Sequence, residues 1–195
     1  MAKRDDLHGA LCTLRAVTPD DISKIHGLCQ KPEICRALHL PAPPTADELR
    51  ELLFTKNKLH LWKLVPQGQA VPQGMAGYRI KCGYPFIFLH FNSGKLDIDL
   101  AEDMILAFMH DYFKVLRPKI SEVFQTDPLM IVLPIDSADE MHGFFLENGF
   151  DPMTDHWAVD YKTQLAYAIY PETYQAYYGE EPVSGDEEHD EELEA

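Results

Sequence analysis

The residues best equipped for chemistry sit in and just after one apolar run, "YPFIFLHFNSGKLDIDLAED", residues 84–103. His90 lies near the end of that run. A neutral imidazole accepts a proton near neutral pH, so His90 is a candidate general base. The alternative is a histidine that is partly exposed and hydrogen-bonded at a strand end. Asn92, Ser93, Gly94 and Lys95 follow and lead into a helix. A helix N-terminus preceded by a glycine can hold an anion on its backbone N–H groups. Against this, Asp97, Asp99, Glu102 and Asp103 crowd the same turn. Each would repel a bound anion by on the order of 1 kcal/mol per close pair in water. The same acids are also good helix-start residues, so both roles stay open.

Other chemistries find less support. Cys29, Cys35 and His39 match no zinc spacing, so they are expected to be two buried free thiols and a loop histidine rather than a metal site. No Ser-His-Asp or Cys-His order stands out to support nucleophilic catalysis. The four cysteines follow an N-terminus, "MAKRDDLHGA", with no apolar leader, which predicts reduced thiols and a cytoplasmic location. No apolar run approaches the roughly 18 residues of a membrane span, so no membrane partner is expected.

The net charge of −15 is concentrated at the C-terminus, where residues 179–195 carry nine acids and no Lys or Arg. That segment has too little apolar surface to offset the entropy of ordering, which predicts a disordered tail after one domain over residues 1–178. The tail is a solubilising segment or a docking segment for a basic protein partner. Nucleic acid is not an expected partner, because phosphate contacts need a clustered basic face.

These residues need elements to position them. Residues 129–133, "LMIVL", have strand composition, and Pro134 ends the pairing. Asp136 and Ser137 are good N-caps for one helix carrying Met141, Phe144 and Phe145. Asn148-Gly149 stops it, with Gly149 expected in the left-handed C′ conformation, and Phe150 starts a new extended segment. At the other end, residues 11–17 read as a strand. Thr18 as N-cap and Pro19 at N1 then open a helix on Ile22, Ile25, Leu28 and Cys29.

This strand–helix–"FFLENGF" order, with "RAVTPDD" near the start, resembles the GNAT acetyltransferase superfamily over about residues 11–170. The resemblance implies an α/β fold, a mixed and mostly antiparallel sheet flanked by helices. It also implies acetyl-CoA as co-substrate, with its pyrophosphate at the start of the long helix, over Phe91, Asn92, Ser93, Gly94 and Lys95. The implied activity is acyl-CoA-dependent N-acyl transfer, most simply N-acetyl transfer, by direct attack of a small-molecule or protein amine. In the family a Tyr in the last core helix protonates the leaving thiolate; here Phe145 stands in its place, and Ala138 replaces the usual Asn. These departures leave a rival, a catalytically silent domain used for protein binding or assembly. The region between the first strands, with Arg36 and His39, faces the acceptor substrate in the family.

The remaining elements follow from pattern. Residues 31–44 contain four prolines and read as irregular, and Thr45 with Glu48 makes a capping box for a helix on Leu49, Leu52 and Leu53. Residues 59–65, 75–82 and 84–91 form an antiparallel meander, the last strand central because it is apolar on both faces. A helix spans about 98–116, and residues 119–128 form a loop with one further turn. Two closing strands, 153–161 and 165–170, and a helical turn complete the chain.

Overall fold

A computed structural model describes residues 5–56, 58–81, 84–119, 128–156 and 159–179. Period-2 burial organises it. In the strand Leu59–Pro66 (β3), Leu59 and Leu61 enter one core while Trp62 and Leu64 enter another. The same split separates Met75 from Ala76 and Tyr78 in Gly74–Lys81 (β4), and Phe88 from Ile87 in Tyr84–Phe91 (β5). Side chains alternate across a strand, so a strand apolar at both parities must be covered on both faces.

Among the described residues, eight strands make one sheet. Leu7–His8 (β1) and Cys12–Ala16 (β2) precede β3, and Leu129–Pro134 (β6), Asp151–Met153 (β7) and Gln164–Ile169 (β8) follow β5. The order is β1-β2-β3-β4-β5-β6-β8-β7, with β5 inside the sheet as its apolar sequence requires. All pairings are antiparallel except β5 with β6. One face is covered by Ile98–Asp111 (α4), whose Met104, Ile105 and Phe108 pack on Trp62, Tyr78 and Ile131. The other is covered by Ile22–Cys29 (α1), Pro32–Ala37 (α2) and Ala46–Arg50 (α3). Between that second cover and β8, Phe86, Met130 and Ala168 form a small separate cluster on the same face. The mixed, mostly antiparallel α/β sheet agrees with the sequence reading.

Three local readings are corrected. Residues 31–44 are not wholly irregular: Pro32 takes the N1 position of α2, where its missing N–H costs nothing, and Ile34 and Cys35 bury into the core. The helix expected after Ser137 begins at Ile135, directly behind Pro134, and it is two pieces, Ile135–Glu140 (α5) and His142–Glu147 (α6). The backbone leaves helical geometry at the fully buried Met141, just before Gly143, a poor helix former. Among the described residues, which leave out 157 and 158, the first closing strand is confined to β7; beyond it, Asp160 O accepts the N–H groups of Thr163 and Gln164 in a turn.

Most other boundaries hold. The long helix continues from α4 through one wider π-type turn, Tyr112–Leu116, and the last element, Pro171–Tyr178 (α7), is two turns rather than one. Gly149 has φ of +79°. The residues 120–127 in the predicted loop, Cys82 at the end of its predicted strand, and the acidic tail beyond residue 179 lie outside the described residues.

One long-range contact ties the first hairpin to α4. The Asp103 carboxylate accepts N–H bonds from Ala10 (2.6 Å), Leu11 (2.9 Å) and Cys12 (3.1 Å). Gly9 lies so close to this carboxylate that a Cβ would collide with it. Burial, with Asp103 beside it, pushes the Cys12 thiol up to about 12.

Candidate functional site

The site begins where two strands part. The β5–β6 register joins Phe86 to Met130 and Ile87 to Ile131, and among the described residues it goes no further, although both strands continue. The gap opens a cavity of about 370 Å³, walled by Ile87–His90 on one side and Val132–Pro134 on the other. Residues of α2 and its C-terminal loop (Glu33, Arg36 and His39) and Gln164 of β8 complete it. A gap in a sheet exposes backbone N–H and C=O groups that a ligand can satisfy.

His90 lines this cavity half-buried, its ring stacked near that of Phe88 with centroids 6.5 Å apart. Burial and the nearby Lys31 charge hold its pKa below the ordinary histidine value, partly opposed by Glu33. The imidazole is therefore neutral at pH 7 and available to accept a proton.

Of the five residues proposed for the cofactor, Phe91 is buried at the end of β5, and Asn92–Lys95 form a tight exposed turn behind it. Asn92 is fixed to the β3–β4 loop, its backbone N–H donating to Gln73 O (2.8 Å) and its side chain to Pro72 O (3.1 Å). The Ser93 hydroxyl donates to Lys95 O (3.0 Å). Gly94 has φ of +73° with open space where a Cβ would stand, so the backbone there can be approached closely. The four acids separate into different roles. Asp97 caps α4, accepting the Leu100 N–H at 3.2 Å, and Asp103 is turned to the first hairpin. Burial and the neighbouring Asp99 and Glu147 charges push Glu102 up. Ile98 and Asp99 keep N–H groups without an acceptor among the described residues. With Gly94 open, Lys95 exposed and two amides free, the turn fits an anionic cofactor, in competition with the Asp97 cap.

The last core helix offers no acid. Phe145 and Ala138 are both fully buried; the Phe145 ring packs on Tyr167 and, edge-on, on Phe150. Cys29 and Cys35 are buried free thiols, Cys35 Sγ donating to Cys29 O at 2.8 Å. No set of three or more His, Cys, Asp or Glu among the described residues is arranged for a metal ion.

Sequence reasoning missed the extent of the site and one residue in particular. A second cavity of about 460 Å³ adjoins the first and shares Arg36, His39 and Gln164 with it; Leu40, Pro41, Arg79 and Asp160 form the rest. Arg79 has the parity of buried Met75 in β4, the one sequence signal that a cation points at the covered face. His39, which lines both cavities, has φ of +50°, and its ring packs on that of Phe86 with centroids 4.3 Å apart and planes tilted by 46°. A left-handed non-glycine residue is uncommon and is concentrated at functional sites.

No family model and no curated protein sequence matches the chain. Solved structures do. An apo nucleotide-linked sugar GNAT superimposes with a TM-score of 0.56 at 14% identity, covering 89% of this chain and 94% of its own. A spermidine N-acetyltransferase from Vibrio cholerae gives 0.57 at 15%, covering 85% and 96%. A ribosomal-protein alpha-N-acetyltransferase in complex with coenzyme A gives 0.52 at 16%, covering 85% and 98%. The chain has the GNAT fold, at 14–16% identity to these structures.

Proposed function

We propose that this protein is an acyl-CoA-dependent N-acyltransferase that moves an acetyl or similar acyl group to an amine by direct attack. The observation that carries this reading is the parting of β5 from β6 after Ile87, with a neutral histidine on the resulting cavity. Bound acetyl-CoA supplies an activated thioester. The chain's own residues would do the rest: the Asn92–Lys95 turn and the free Ile98 and Asp99 amides hold anionic groups, while the β5 edge orients the acyl end. His90 takes the proton of the attacking ammonium or amine. No helix of the described residues is long and apolar enough to cross a membrane, and the buried free thiols suit a cytoplasmic setting.

A second reading, a silent domain used for binding or assembly, draws on two observations: Phe145 is sealed in the core without a hydroxyl, and Asp97 already occupies a first-turn amide of α4. Calorimetric titration with acetyl-CoA and free CoA, followed by thiol release with a panel of amines, separates the two. The transferase binds both nucleotides and releases thiol with at least one amine. Absence of binding removes the transferase reading; binding without thiol release favours the silent domain.

A further inference from the structure

Arg79 is the least explained charge in the described structure. Its Nε and Nη1 are buried and have no hydrogen-bond partner. A guanidinium carries five N–H donors, and leaving buried donors unmet is costly for a charged group. Burial alone pulls its pKa down, with no compensating carboxylate, although Arg stays protonated. The acid on the same cavity wall, Asp160, is spent on its own turn: its carboxylate accepts the Lys162 N–H at 3.2 Å and the Thr163 hydroxyl at 3.3 Å. No ion pair joins it to Arg79 among the described residues.

The two cavities share one face of the sheet and have opposite polarity at their ends. Glu33 and His90 stand at one end, Arg79 at the other, with Arg36 between them on both walls. Arg79 pairs with Phe86, and His90 is four residues further along β5, about 14 Å at the usual rise per residue. A polycation entering this cleft would meet Arg36 and Arg79. A molecule with an ammonium at one end and an oxyanion at the other matches both ends.

We propose that the acceptor is an elongated amine carrying an oxyanion, a carboxylate or phosphoryl group, remote from its reacting nitrogen, and that Arg79, with Arg36 at the rim, binds that oxyanion. This rests on the acyl-transfer reading for the role of the amine end, while the oxyanion end stands on the cavity and its unmet guanidinium. Planar, bidentate recognition of such groups is what a guanidinium does better than an ammonium.

The test is calorimetric titration of the full chain, without nucleotide, with 8-aminooctanoate, 8-aminooctylphosphonate, octylamine and spermidine. At least one anion-bearing probe binds tenfold or more tightly than octylamine, and spermidine does not bind. Arg79→Met abolishes that preference, Arg79→Lys restores part of it, and Arg36→Gln weakens it. The melting temperature of Arg79→Met is unchanged or higher, because the substitution removes unmet buried donors; a structural arginine would give a large loss. Whichever oxyanion binds more tightly identifies its source. Equal affinity for octylamine and both anions, or no binding by either anion, overturns the proposal. So does an Arg79→Met effect on CoA affinity instead of probe affinity, which would give the pocket to the nucleotide's phosphates. Thiol release from 8-aminooctanoate and 8-aminooctylphosphonate that is indifferent to Arg79→Met would leave acyl transfer standing and sink the oxyanion site alone.

Discussion

The ring of Phe145 lies on that of Tyr167, centroids 4.2 Å apart and planes 20° apart, and the Tyr167 hydroxyl is 2.8 Å from His142 Nδ1. The place where the resembled family carries its acid is thus a closed aromatic stack, with the one nearby hydroxyl already engaged. Phe145→Tyr should bury a new hydroxyl without a partner and cost about 1–3 kcal/mol, with no gain in thiol release. Denaturant titration beside a turnover assay checks both halves; higher turnover at unchanged stability would show that the position still opens on the site.

The His90 assignment makes a prediction about pH. The rate needs the neutral imidazole, so acyl transfer should fall as pH drops through the His90 pKa. Burial and Lys31 place that value below the ordinary 6.5, so the acid limb should have its midpoint under pH 6.5. His90→Gln should remove the limb and slow turnover by about 10²- to 10⁴-fold. A limb that survives the substitution would belong to another group.

Gly149 occupies left-handed backbone, and a Cβ there would also come within 3.1 Å of Thr173 Cγ2 and 3.3 Å of the Tyr177 ring. Strain and crowding act together, so Gly149→Ala should lower stability by about 1 kcal/mol or more. The midpoint of a urea titration reads this directly.

Acid stability should depend on Asp21. Its partial burial raises the pKa, but Lys63 Nζ at 2.8 Å and the Thr18 N–H and hydroxyl, both at 2.9 Å, outweigh that and leave it below the usual carboxylate value. A carboxyl with a depressed folded pKa contributes stability that is present above its unfolded value, near 4, and lost as pH falls through its folded value. Asp21→Asn should therefore cost of order 1 kcal/mol or less at pH 7 and nothing at the lowest pH at which the fold persists. Unfolding curves at a series of pH values test the sign.

Much of this architecture was legible because it rests on local rules. Pro19 and Pro171 open helices, the Thr45–Glu48 box forms as spelled, with the Glu48 N–H donating to Thr45 Oγ1 at 3.2 Å, and the Asn148-Gly149 stop is where the pattern put it. Pro32 shows the limit: the same N1 signal was drowned by prolines 41, 43 and 44, which really are in loop. His90 was visible because a titratable residue stood out in an apolar strand. Arg79 was not, since a single arginine near a strand end ordinarily reaches solvent; its confinement depends on α2 and the Asp160 turn, more than forty positions away on either side. The gap between β5 and β6 was equally invisible, because both strands are apolar throughout and only their divergence in space opens it.

The Asp103 carboxylate also sets an order of events for the folding chain. It lies 91 to 93 positions from the amides it binds, so the Ala10, Leu11 and Cys12 N–H groups lack this acceptor until α4 has docked on the sheet, although the turn has its own Gly9 N–H to Cys12 O bond. Closing so long a loop early is entropically unfavourable, and the two-residue β1 adds little of its own. The N-terminal hairpin should then be the last piece to gain protection from hydrogen exchange on folding and the first to lose it. Its Ala10–Cys12 amides would act as a reporter of whether the long helix is seated.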